Sequence, residues 1–205
     1  HVVHRGEKSY NGVAIASLVE PSKVSFGFDD GGSAEATRIM WAEIAGVTVL
    51  DTYVPQGREV GTPHYSHKLD WLARLGRWFD RRLGPAALIA WCGDINVAPA
   101  PEDVHDPKRL EGHVCFNPEV RGALAAIRDR GLVDVFRKHN PDPGQFTFFD
   151  YRVRGSVDRG LGWRVAHVHA SSALAARSLS ARIDLGPRRA ARPSDHAPIL
   201  AVFGI

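Results

Sequence analysis

Apolar and polar positions alternate in short blocks along this chain, and the blocks resolve into strands and two longer helices. Strand-like runs cover 11–19 (NGVAIASLV), 38–53 (RIMWAEIAGVTVLDTY), 87–92 (ALIAWC), 163–170 and 198–203 (PILAVF). Gly46 interrupts 38–53, so that stretch reads as two paired strands joined by a turn at Ala45-Gly46. The period lengthens over 67–83, where Leu69, Leu72, Leu75, Trp78 and Phe79 fall on one stripe of a helix. Asn117-Pro118, a capping side chain followed by a proline suited to a first turn, opens a second helix over 118–130. Strands and helices mix without strict alternation. That predicts an α/β fold in which a mixed sheet packs on a second sheet and helices form outer layers.

Composition changes this picture little. The 205 residues suffice for one domain with a substantial core, and 44% apolar with 24% charged residues is ordinary for a globular protein. No apolar run has the length of a membrane span, and no segment has the form of a signal peptide. The chain begins HVVHRGEK, as though in mid-fold, so an N-terminally shortened domain over 1–205 is expected. Net charge is +3, with arginine well ahead of lysine, which permits a polyanionic partner without requiring one. Cys92 and Cys115 match no paired metal motif, and Cys92 reads as a buried inert thiol. A reducing, cytoplasmic setting is the default.

Chemistry concentrates where strands end. Four stretches, DTYVPQGR at 51–58, GDINVAP at 93–99, FTFFDYR at 146–152 and RPSDHAP at 192–198, put polar groups beside apolar runs. They supply Tyr53, Asp94, Asn96, Asp195 and His196. Asp94 and Asn96 occupy alternate positions, which on a strand share one face. Carboxylates with an amide and an imidazole suit a hard divalent cation, Mg²⁺ or Mn²⁺. Each stretch also has a plain structural reading: a self-capped turn for Asp-x-Asn, a loop into an edge strand for SDHAP, core packing for the phenylalanines. Their occurrence together, in this order, favours a site.

YNGVAI, YVPQG, GDINVAP, VHDPKRLEGHVCF, FTFFDYR, GWRVAHVHAS and RPSDHAPI together resemble the exodeoxyribonuclease III family of apurinic/apyrimidinic endonucleases, within the endonuclease/exonuclease/phosphatase superfamily. The resemblance covers nearly the whole chain and implies a DNase I-like four-layer sandwich, here lacking its first strands. It also implies a metal-dependent DNA repair nuclease, cutting 5′ to abasic sites or degrading duplex DNA 3′→5′ as a monomer. In that reading Asp94 orients or deprotonates the attacking water, Asn96 and His196 donate to the phosphate, and Tyr53 holds it from the other side. The metal set would be Asp94, Asn96, Asp195 and His196. Phe148 and Trp163 would wall a pocket for an extruded abasic sugar. Lys8, Arg58, Lys108 and Arg109 would contact backbone phosphates.

Two departures accompany the resemblance. The family's Asn and metal-binding Glu on early strands would precede His1, and the family's WRIDHI stretch reads WRVAHV here. Ala166 thus stands where an acid would buttress the site imidazole. These departures support an alternative, a weakened homologue that binds DNA or a partner with little incision. A small-phosphoester hydrolase is a third reading, opposed by the aromatic FTFFDYR and GW stretches.

Overall fold

A computed structural model describes residues 1–205. Its centre is a six-stranded mixed sheet in the order β3-β4-β5-β6-β8-β7. These strands are β3 (Lys23–Phe26), β4 (Ile39–Ile44), β5 (Val47–Tyr53), β6 (Ile89–Asp94), β7 (Leu132–Asp134) and β8 (Ala166–Ser171). The 38–53 stretch is the expected hairpin, β4 and β5, with Ala45 and Gly46 both at positive φ (49° and 80°). Two positive φ values in a two-residue loop match the right-handed twist of the flanking strands. β5 and β6 then run parallel, joined by the crossover helix α1 (Pro63–Asp80).

Helix α1 starts four residues before the apolar stripe suggested. Thr62 caps it, accepting from the Tyr65 N–H at 3.4 Å, and Pro63 occupies its first turn. The buried stripe is Tyr65, Lys68, Trp71, Leu72, Leu75, Trp78 and Phe79, with Leu69 only at its margin. Helix α3 (Pro118–Arg128) begins as expected, Asn117 accepting from the Val120 N–H at 3.1 Å. Both long helices cover one face of the sheet, where Trp41, Leu50, Ile89 and Trp91 meet Trp71, Trp78, Phe79, Leu124 and Ile127 in the main core.

Two separate antiparallel hairpins cover the other face: β1 (Val2–Gly6) with β2 (Gly12–Ala16), and β9 (Ser178–Ile183) with β10 (Ile199–Phe203). Val13 and Ile15 of β2 pack on Met40 and Ala42 of β4. Ile183, Ile199, Ala201 and Phe203 pack on Ala90, Val168 and Ala170, beside α4 (Val135–His139). The expected sheet-on-sheet packing is present, the second layer being these two hairpins. The remaining short helices are α2 (Pro107–Leu110) and α5 (Ser172–Ala175). No helix is long and apolar enough to cross a membrane.

Candidate active site

The C-terminal ends of β5 and β6 form one rim because the two strands are parallel and in register, Tyr53 opposite Asp94. Gly93 makes this approach possible. Its φ is +129°, and a Cβ there would lie 2.0 Å from the Thr52 carbonyl oxygen, so only glycine fits. The next strand is antiparallel and sets Ala166 opposite Asp94.

Asp94 and Asn96 come together, but not as alternate residues of a strand. β6 ends at Asp94, and Asn96 adopts φ +53° in the turn beyond it. There the Asn96 backbone N–H donates to Asp94 Oδ1 and its side-chain Nδ2 to Asp94 Oδ2, each at 3.0 Å. Nδ2 also donates to the Val54 carbonyl at 3.0 Å. Both amide hydrogens are therefore engaged within the protein. The expectation that Asn96 donates to a phosphate is corrected on that point, and its Oδ1 also has a partner, accepting from Cys115 Sγ at 4.0 Å. Burial raises the Asp94 carboxyl above the ordinary range, against His196, the Asn96 N–H and Lys68, which favour the charged form.

His196 faces Asp94 with Nε2 4.0 Å from Oδ2. Its ring lies 5.1 Å from that of Phe148, whose backbone exchanges hydrogen bonds with Trp163 at 2.8 and 2.9 Å. Phe148 and Trp163 are half-buried and border the same rim. Tyr53, Asp94, Asp195 and His196 line one open cavity of about 490 Å³. The donors converging there are hard oxygens plus one imidazole, with no thiolate, a set suited to a divalent cation of the Mg²⁺ or Mn²⁺ class. Arg58, Lys108 and Arg109 are exposed and lie outside this lining, as does Lys8 on the β1–β2 turn.

Four participants escaped the sequence reading. Asp51 lies two residues before Tyr53 on β5 and lines the cavity; burial lifts its carboxyl to about 6, against a hydrogen bond from the Ala14 N–H. Strand alternation with Tyr53 was its available signal. Arg38 sits 4.8 Å from the centre of the Tyr53 ring and donates to the Tyr53 carbonyl at 3.3 Å and to Asn11 Oδ1 at 3.2 Å. Asn11 is buried and also lines the cavity. Burial, then the Asp94 charge, raises the Tyr53 phenol, and Arg38 opposes both. The fourth is Lys68, a cation inside the apolar stripe of α1.

These positions belong to a recognised pattern: residues 1–196 match the model of the Endonuclease/Exonuclease/phosphatase family. The chain belongs to that family. It is 34% identical to exodeoxyribonuclease III of Haemophilus influenzae, over 99% of this chain and 80% of that protein. Among solved structures it resembles an AP endonuclease from Archaeoglobus fulgidus, with 47% identity and a TM-score of 0.97, over 100% of this chain and 79% of that one. It also resembles the 3′ phosphatase NExo from Neisseria, solved with a product DNA hairpin, with 34% identity, a TM-score of 0.95, and 100% and 79% coverage.

A second group of metal-ligating side chains, Asp134, His167 and His169, is fully buried behind the rim. Arg164 already fills it, with Nη2 2.8 Å from Asp134 Oδ2 and Nη1 2.8 Å from His167 Nδ1. A guanidinium there is the cation of this group. Neither His167 nor His169 turns to the rim beside Ala166. His167 Nε2 bonds the Val97 carbonyl at 2.9 Å, and His169 stacks on Trp91 with neither ring nitrogen partnered.

Proposed function

We propose that this chain is a divalent-metal-dependent DNA repair nuclease, hydrolysing phosphodiesters 5′ to abasic sites and removing nucleotides 3′→5′ from duplex DNA as a monomer. One observation carries the reading. Tyr53, Asp94, Asp195 and His196 share a single cavity beside the Phe148–Trp163 pair, in a chain of this family.

In this reading Asp94 accepts the proton of the attacking water, a role matched by a buried carboxylate whose proton affinity is raised. Asn96 fixes both Asp94 oxygens. His196 donates to the phosphate oxygen on which charge develops, and Tyr53 donates from the opposite side. Asp94, Asp195 and His196 would hold Mg²⁺ or Mn²⁺, and Asn96 would join them by exchanging its Oδ1–Cys115 contact for the ion. When bound there, such an ion would supply Lewis-acid polarisation of the phosphate and charge stabilisation at the leaving 3′ oxygen. Phe148 and Trp163 would receive the extruded sugar, whose displacement costs least where the base is already gone.

The test is incubation with Mg²⁺ and a duplex carrying one abasic-site analogue. Incision that Asp94→Ala lowers by roughly 10²–10⁴-fold supports the enzyme. Ala166 opposite Asp94 favours the second reading, a binder with little catalysis. Retained DNA binding without incision at any Mg²⁺ or Mn²⁺ concentration would establish that one instead.

A further inference from the structure

Lys68 lies wholly inside the protein, on the core-facing side of α1. An ammonium has three N–H donors. Lys68 Nζ donates to the carbonyls of Gln56 at 3.1 Å, Asn96 at 2.7 Å and Val114 at 3.0 Å. These carbonyls belong to three different segments: the loop after β5, the turn after β6, and the 112–116 loop before α3. Gly57 lets the first loop close onto the lysine. It has φ +91°, and a Cβ there would meet Lys68 Cδ and Val114 Cγ2, each at 3.0 Å. Asn96, at φ +53°, holds a left-handed conformation, which asparagine tolerates better than most other non-glycine residues. Lys68 grips the carbonyl of that same residue while the Asn96 side chain grips Asp94.

We infer that Lys68 is a positioning residue: its ammonium pins three rim loops at one point and so fixes the Asp94–Asn96 couple in its reactive arrangement. The inference rests on the nuclease reading above. An apolar residue could fill the stripe without burying a charge. A fully bonded ammonium at this point instead centres a set of ties between the three loops, with Gln56 Nε2 to Cys115 Sγ at 3.9 Å and the Ala98 N–H to the Cys115 carbonyl at 2.8 Å around it, which is what a reactive constellation needs to stay within a fraction of an ångström. A lysine serving stability alone would lower the melting temperature of a variant and leave turnover intact.

The experiment compares Lys68→Met and Lys68→Arg with the unaltered chain, well below each melting temperature. Two readouts are taken: steady-state incision of the abasic duplex, and amide hydrogen exchange of residues 95–98. Lys68→Met is expected to lower kcat by roughly 10–100-fold with KM changed by no more than about threefold. Exchange at the Asn96 N–H should accelerate, and Lys68→Arg should recover part of kcat. Unchanged exchange, or faster exchange with unchanged kcat, overturns the inference. If Lys68→Met does not fold, Gly57→Ala displaces the lysine stem from outside the cavity and is expected to lower kcat in the same KM-independent way; unchanged turnover in that variant also overturns it. An unaltered chain that incises nothing overturns the nuclease reading instead, while exchange still reports whether the loops are pinned.

Discussion

Ala166 stands directly across the β6–β8 ladder from Asp94, and His196 approaches the same Asp94 carboxylate at 4.0 Å. The imidazole therefore has Asp94, the base of the proposed reaction, as its acidic neighbour. A group that must both accept a proton and steer its partner is compromised in each task. Restoring the acid by Ala166→Asp is expected to raise kcat for incision roughly 10–100-fold, with little change in KM. Steady-state incision of an abasic duplex checks this, and an unchanged or lower kcat would show that Asp94 suffices.

Acid should destabilise the protein. Burial above all pushes the buried imidazoles of His167 and His169 down to about 3. In the unfolded chain they titrate near 6.5. Between these values the unfolded state binds more protons, so their contribution is intact above about pH 6.5 and is lost as pH falls through the window. A loss of about 1–3 kcal/mol is expected between pH 7.5 and 5.5. Urea denaturation at the two pH values measures it. His169→Leu, which removes two unpartnered ring nitrogens, should flatten the dependence.

Arg164 is the hub of a buried ionic group. It is bidentate to Asp103, at 2.7 and 3.1 Å, and 2.8 Å from Asp134, while Arg137 also pairs with Asp103. Removing the guanidinium strands the buried Asp134 carboxylate and leaves Asp103 to Arg137 alone. Arg164→Met is expected to cost about 3–5 kcal/mol. Thermal and chemical denaturation read the loss, and a change below about 1 kcal/mol would mean that Arg137 and solvent compensate.

The legible parts of this fold were those with strong local grammar. Ala45-Gly46 declared the β4–β5 hairpin, Asn117-Pro118 declared the start of α3, and GDINVAP with RPSDHAP declared the rim. The strands missed in the pattern, β1, β3, β7 and β9, are short or carry exposed and polar residues such as His4, Arg5, Ser180 and Arg182, so period two is weak in them. The placing of Asn96 in a left-handed turn was invisible to strand alternation, because it depends on a lysine 28 positions away that reads as a flaw in an apolar stripe. Arg38 and Asn11 likewise acquire a role only when β2, β4 and β5 converge.

The glycine at position 93 has a consequence for how this architecture tolerates change. With no room for any side chain against Thr52, the alignment of β5 with β6 is locked one residue before the carboxylate. Insertions in the exposed 29–34 or 152–155 stretches would be absorbed at the surface. One residue added between Gly93 and Asp94 would instead turn the acid toward the opposite side of the sheet, silencing the centre while leaving a folded shell.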